Sequence, residues 1–167
     1  MKESDKILVN GFFYLQNIAE AQFIKNYSGD LSGGSKHFEE LLNAAILSKD
    51  SKEVEDALAM GAYFKLWHPG LVPVFNQLLL EDWHFQHENM VLWLQDAKDP
   101  RSVEAIYLTA LKEFEYLNYD DAYALARKCT WALADINTPE AIEKLKLLSQ
   151  SHNEHIRLYA NKRLADL

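Results

Sequence analysis

Apolar residues return at helical intervals over most of this chain. Ala141, Ile142, Leu145 and Leu148 fall at i, i+1, i+4 and i+7, which is one face of a helix. Ile156, Tyr159, Ala160 and Leu164 repeat the pattern, and Leu125, Cys129, Ala132, Leu133 and Ile136 form a third stripe. Start signals agree. Asp99-Pro100 and Thr138-Pro139 place a capping residue before a first-turn proline. Asn153 is suited to cap a last helix, and Asp120 or Asp121 the one before it. The pattern predicts eight helices in four hairpins: 36–48 with 51–65, 70–81 with 84–97, 100–116 with 120–136, and 139–150 with 153–166. A further helix near 12–26 is expected to cap the array, joined to it by the glycine- and serine-rich linker SGDLSGGS, Ser28–Ser35. The domain reading is therefore a single unit over 1–167, with 1–35 as capping segment and linker and 36–167 as hairpins.

The hairpins repeat in sequence as well as in period. PRSVEAIYL after Asp99 matches PEAIEKLKL after Thr138 at an offset of 39, and PGLVPVF from Pro69 is a weaker third copy. The second helices match at an offset of 31, Leu125, Cys129 and Leu133 standing opposite Ile156, Ala160 and Leu164. The eight-residue discrepancy lies within KEFEYLNY, an insertion at one hairpin loop. The stretch CTWALADINTPEAIEKLKLLSQSHNEHIRLYANKRL resembles HEAT-like repeats, with Arg157, Ala160 and Leu164 in the family's places and Ala126 departing from it. The resemblance covers 69–167 better than 36–68. It implies an all-α, right-handed alpha-alpha superhelix, a HEAT-like solenoid of about four hairpins plus the N-terminal helix. Within it, LLLEDWHFQHENMVLWLQDAKDP is similar in cadence to small bacterial HEAT-like proteins that accompany polymorphic toxins as immunity proteins. That similarity implies a protein that binds and blocks a toxin domain.

Charge sharpens the picture. Among 167 residues the net charge is −8, and it is uneven. Residues 39–99 hold eleven acids against four bases, whereas 101–167 hold ten against nine. Such a field repels nucleic acid and anionic lipid and favours a basic partner. One cysteine, Cys129, allows no internal disulfide. The N-terminus lacks a signal-peptide pattern, and no apolar run reaches the ~18 residues of a membrane span, so a cytoplasmic protein is expected.

Candidate chemistry is sparse. His84, His87 and Glu88 lie at i, i+3 and i+4 on one helix face, a spacing that matches neither HExxH nor HxxEH and lacks a fixed third ligand. HEAT-like di-iron hydroxylases carry several His-Glu pairs; this chain has one, His87-Glu88. GxSxG elbows, phosphate loops and dinucleotide glycine patterns are absent. Cys129 belongs to an apolar stripe. The chain is therefore expected to be no enzyme and to need no metal or cofactor. Four tryptophans, three of them (Trp67, Trp83, Trp93) within the acidic stretch, suit anchors inside a charged rim. The expected partner surface comprises Glu81, Asp82, Trp83, His84, His87 and Glu88, with Asp120 and Asp121 behind them, beside Tyr116 and Tyr119 of the insertion. Its expected occupant is a basic toxin domain such as a nuclease. The alternative is an intracellular scaffold or adaptor for a basic protein.

Overall fold

The structure, a computed structural model, describes residues 1–33 and 36–167. The last two residues of the expected linker, 34 and 35, lie outside the described residues. The chain is all-helical; among the described residues there are ten α-helices and no strand. They fall into two compact units, 1–68 and 69–167.

The first unit opens with α1 (Glu3–Val9), which runs into a single π turn (Asn10–Tyr14), followed by α2 (Glu20–Asn26) and the hairpin of α3 (His37–Ser48) and α4 (Ser51–Tyr63). The predicted continuous helix over 12–26 is corrected here: the chain breaks at 15–19, with Gln16 in the left-handed region (φ 52°). The cause is aromatic packing. In one straight helix Phe12 and Phe23 would sit about 16 Å apart along the axis. In the folded chain their ring centroids are 4.9 Å apart, and Phe64 stacks on Phe23 at 5.5 Å. Gly11 makes the fold-back possible, because a Cβ there would stand 2.4 Å from Ile18 Cδ1. Buried carboxylates tie the segment down. Asp5 accepts from the Ser28 backbone N–H and hydroxyl (3.1 and 2.6 Å), and Asp56 accepts from the Tyr14 hydroxyl and Lys52 (2.9 and 2.7 Å). In α4 the Asp50 side chain caps the Lys52 and Glu53 N–H groups, as an N-cap carboxylate should.

The second unit is three hairpins: α5 (Val72–Leu79) with α6 (His87–Ala97), α7 (Val103–Leu111) with α8 (Ala124–Ile136), and α9 (Pro139–Leu148) with α10 (Glu154–Ala165). First helices pack on first helices, α7 lying against both α5 and α9; second helices do the same, α8 lying against both α6 and α10. The predicted stripes face the interior, with Ile142, Tyr159 and Leu164 half-buried at its margin. Leu125, Cys129, Leu133, Leu145, Leu148, Ile156 and Ala160 are all buried. Burying each large side chain removes apolar surface from water at roughly 25 cal/mol per Å², which is the main stabilising term. The predicted caps are present: Thr138 Oγ1 accepts from the Ala141 N–H (3.2 Å), and Asn153 Oδ1 from those of His155 and Ile156 (3.0 and 3.2 Å). No helix among the described residues is long and apolar enough to cross a membrane.

With the 3₁₀ turns Pro69–Leu71 and Pro100–Ser102 counted with the helices they lead into, three hairpin boundaries differ from the periodicity by three residues or more, and all three flank the same region. The helix predicted from 84 starts at His87, the one predicted to 116 stops at Leu111, and the one predicted from 120 starts at Ala124. Residues 112–123 instead form a loop around one 3₁₀ turn (Glu115–Leu117).

Candidate functional site

The two loops of interest, 80–86 and 112–123, are held together by a pair of buried histidines. His84 and His87 are both fully buried, with rings stacked at 4.2 Å. Their partners decide their protonation. His84 Nδ1 accepts from the Gln86 backbone N–H (3.2 Å), so its proton sits on Nε2 and is donated to the Leu78 carbonyl (2.8 Å). His87 Nε2–H is likewise donated to the Glu81 carbonyl (2.8 Å), which leaves Nδ1 to accept the Tyr116 hydroxyl (2.9 Å). Both rings are therefore neutral and fully engaged. Burial lowers both pKa values, that of His87 to about 4, where the repulsion that a protonated His84 would exert adds to the effect.

This geometry corrects two expectations. His84 and His87 are fully buried rather than exposed on a surface; they latch the loop that ends α5 to the start of α6 and to Tyr116 of the insertion. Nor do they converge with Glu88, whose carboxylate pairs with Lys128 of α8 at 2.8 Å. Each ring nitrogen already has a partner, so no lone pair is aimed at a common point. Among the described residues no group of three or more His, Cys, Asp or Glu is placed to hold a metal ion.

Aromatic rings continue the latch. Phe114 lies 3.9 Å from the His87 ring, and Tyr116 stacks on His87 at 5.6 Å while meeting Phe85 edge-on at 5.3 Å. Lys112 reinforces it: its ammonium is donated to the Leu80 carbonyl and stands 5.1 Å above the Phe114 ring. Burial, then the nearby Glu88 charge, pushes the Tyr116 phenol up to about 12. The two candidate regions of the sequence, 81–88 and 116–121, thus meet.

The remaining nominated residues divide by use. Glu81 accepts from Trp83 Nε1 at 2.8 Å, which fixes the half-buried Trp83 ring. Asp120 accepts from the backbone N–H groups of Ala122 and Ala124 (3.0 and 2.6 Å) and so supplies the start of α8. Tyr123, left-handed at φ 51°, is why that helix cannot begin at 120. Asp82 and Asp121 are exposed. Among the described residues they make no ion pair, and the same holds for the exposed Glu113 and Glu115. Phe85 and Tyr119, 58% and 81% exposed, stand on the same pair of loops. Phe85 is not among the residues that charge and spacing nominate; its signal was an aromatic inside WHFQHE with no place in either helical stripe. Trp93 packs on Phe75 at 5.6 Å, and Trp131 lies beside Arg127 on α8.

Beneath the insertion is a cleft of about 220 Å³ between α7, the loop and the first turn of α8. Thr109, Ala110, Phe114, Leu117, Tyr123, Leu125 and Ala126 are among the residues that line it. Glu113, Asp120 and Asp121 also line it. Tyr159 of α10 props this loop by donating its hydroxyl to the Ala122 carbonyl (2.6 Å), and His155 stacks on Tyr123 at 5.6 Å. Set against protein-family models, curated proteins and solved structures, the chain matches none of them.

Proposed function

We propose that this chain is a binding protein that covers a basic protein domain, in the manner of an immunity protein occluding a bacterial toxin such as a nuclease. One observation carries the reading: two loops that meet at Tyr116 carry the exposed rings of Phe85 and Tyr119 and four exposed carboxylates, Asp82, Glu113, Glu115 and Asp121, that make no ion pair among the described residues. Aromatic anchors within an acidic surround suit a cationic surface, the rings contributing affinity and the charge the capture rate. The balance of residues 69–167, fifteen acids against ten bases, points the same way. The HEAT-like solenoid reading is supported by the two-layer packing of α5, α7 and α9 against α6, α8 and α10. In that reading the 112–123 loop is an insertion on one edge of the array.

The test is calorimetric titration of the chain with the toxin domain encoded beside it, in about 50 mM and 300 mM salt. Saturable binding that weakens with salt, together with loss of toxin activity, is the expected result. No heat with that domain, or no toxin gene adjoining, overturns the immunity reading and leaves the scaffold alternative.

A further inference from the structure

We propose that the cleft beneath the 112–123 loop is a socket for a single arginine side chain of the basic partner. The inference rests on the reading above and deepens it: it states which chemical group the partner inserts, and where.

Size sets the first constraint. A cleft of about 220 Å³ accommodates one long side chain and excludes a helix or strand. Lining sets the second. Leu117, Leu125 and Tyr123 supply apolar wall, while Glu113 and Asp121 bring carboxylates that make no ion pair among the described residues. Asp120 is committed to the backbone N–H groups of Ala122 and Ala124, so it holds the rim in shape rather than waiting for a ligand. Lys112 alone among the lining residues is basic, and its ammonium is turned onto the Leu80 carbonyl and the Phe114 ring. An anionic guest would therefore meet two uncompensated carboxylates, and an apolar one would desolvate them without recompense.

Arginine suits this lining better than lysine. Its guanidinium is planar, weakly hydrated and able to lie on an aromatic ring while its N–H groups engage a carboxylate in pairs. Lysine presents a compact, strongly hydrated charge to a cleft that is half apolar. The mouth is also prepared in advance. Tyr159 and His155 of α10 hold Ala122 and Tyr123 at the end of the loop, and the His87–Tyr116 hydrogen bond holds its middle. Little ordering cost remains when a side chain enters.

The experiment is an amide-resolved NMR titration of the full chain with the capped tripeptide acetyl-Gly-Arg-Gly-amide. Parallel arms use the lysine and citrulline counterparts, citrulline being the neutral isostere. Shifts concentrated at Leu117, Asp121, Tyr123 and Ala126, at least tenfold weaker with citrulline and weaker with lysine, are expected. The variant E113Q/D121N changes two exposed positions and should retain the fold while weakening the arginine peptide about tenfold; L117W fills the cleft and should abolish the shifts. Equal shifts over the whole acidic surface, or equal response to citrulline, overturn the socket. The two readings fail separately. A cognate toxin that binds E113Q/D121N and L117W undiminished refutes the socket and leaves the immunity reading standing. Arginine-specific shifts without any toxin complex do the reverse.

Discussion

Acidification should unlock the two loops, and the histidine pair sets the pH at which it does so. The perturbation is a proton on His87. In the fold its pKa is depressed from 6.5 to about 4, first by burial and then by His84. The neutral form is thus favoured by folding, so the stabilisation is fully present above about pH 6.5 and is lost as the pH falls toward 4. Each tenfold drop in proton affinity on folding corresponds to about 1.4 kcal/mol, which makes the loss about 2.5 kcal/mol at pH 4.5. A proton on His84 is opposed by geometry too, because it would set an N–H against the Gln86 N–H that its Nδ1 now accepts. The assay is urea unfolding of the natural chain and of His87→Gln at pH 7.0 and 4.5, followed by circular dichroism. Glutamine carries no titrating proton, so the natural chain should lose about 2 kcal/mol more between the two pH values than the variant. Carboxylates such as Asp99, held low by Arg101, titrate in both proteins and cancel. Should the variant be too weak to unfold cleanly, the His87 ring proton can be titrated directly by NMR in the natural chain. Parallel losses within about 0.5 kcal/mol, or a ring that titrates above pH 6, would refute the reasoning.

Three other outcomes follow from local geometry. Gly61→Ala places a Cβ 2.4 Å from Cζ of the fully buried Phe38 between α3 and α4, and should cost about 1–3 kcal/mol in urea unfolding; an unchanged midpoint would contradict that packing. Asn153→Ala strips the first turn of α10 of its cap and should cost about 1 kcal/mol, seen as faster hydrogen exchange at Ile156. Asp82→Lys combined with Asp121→Lys should slow capture of a basic partner at least tenfold at low salt in stopped-flow, while leaving stability within about 0.5 kcal/mol. An unchanged association rate would place the interface elsewhere.

What the sequence made legible was whatever depends on neighbours a few residues away. The stripe Leu125, Cys129, Leu133 and the caps at Thr138 and Asn153 are local statements, and each is found where its spacing puts it. What it hid depends on distant partners. Gln16 and Tyr123 take left-handed conformations that no local propensity favours in these residue types. Packing sets both, through Phe12 meeting Phe23 in one case and Tyr159 holding Ala122 in the other. The site shows the same division. Asp82 and Asp121 are exposed, as charge alone suggests. His84 and His87 look like surface residues beside Glu88, yet their burial rests on the carbonyls of Leu78 and Glu81 and on Tyr116, 29 residues further on.

That dependence gives the histidines a role that charge patterning could not reveal. Loops exposing Phe85 and Tyr119 would, left free, bind a partner only after surrendering their own conformational entropy, at about 0.5–1.5 kcal/mol for each side chain immobilised. The latch moves this cost into folding. Two neutral rings, each with both nitrogens engaged, tie the 80–86 loop to Tyr116, and Lys112 ties the start of the insertion to Leu80. Neutrality matters to the result. A charged pair would strengthen single hydrogen bonds, but it would place positive charge beneath an acidic surface and cancel part of the field that, in the binding function proposed above, would draw a basic partner. Burial that keeps both imidazoles uncharged preserves the rigidity of the loops and the sign of the surface together.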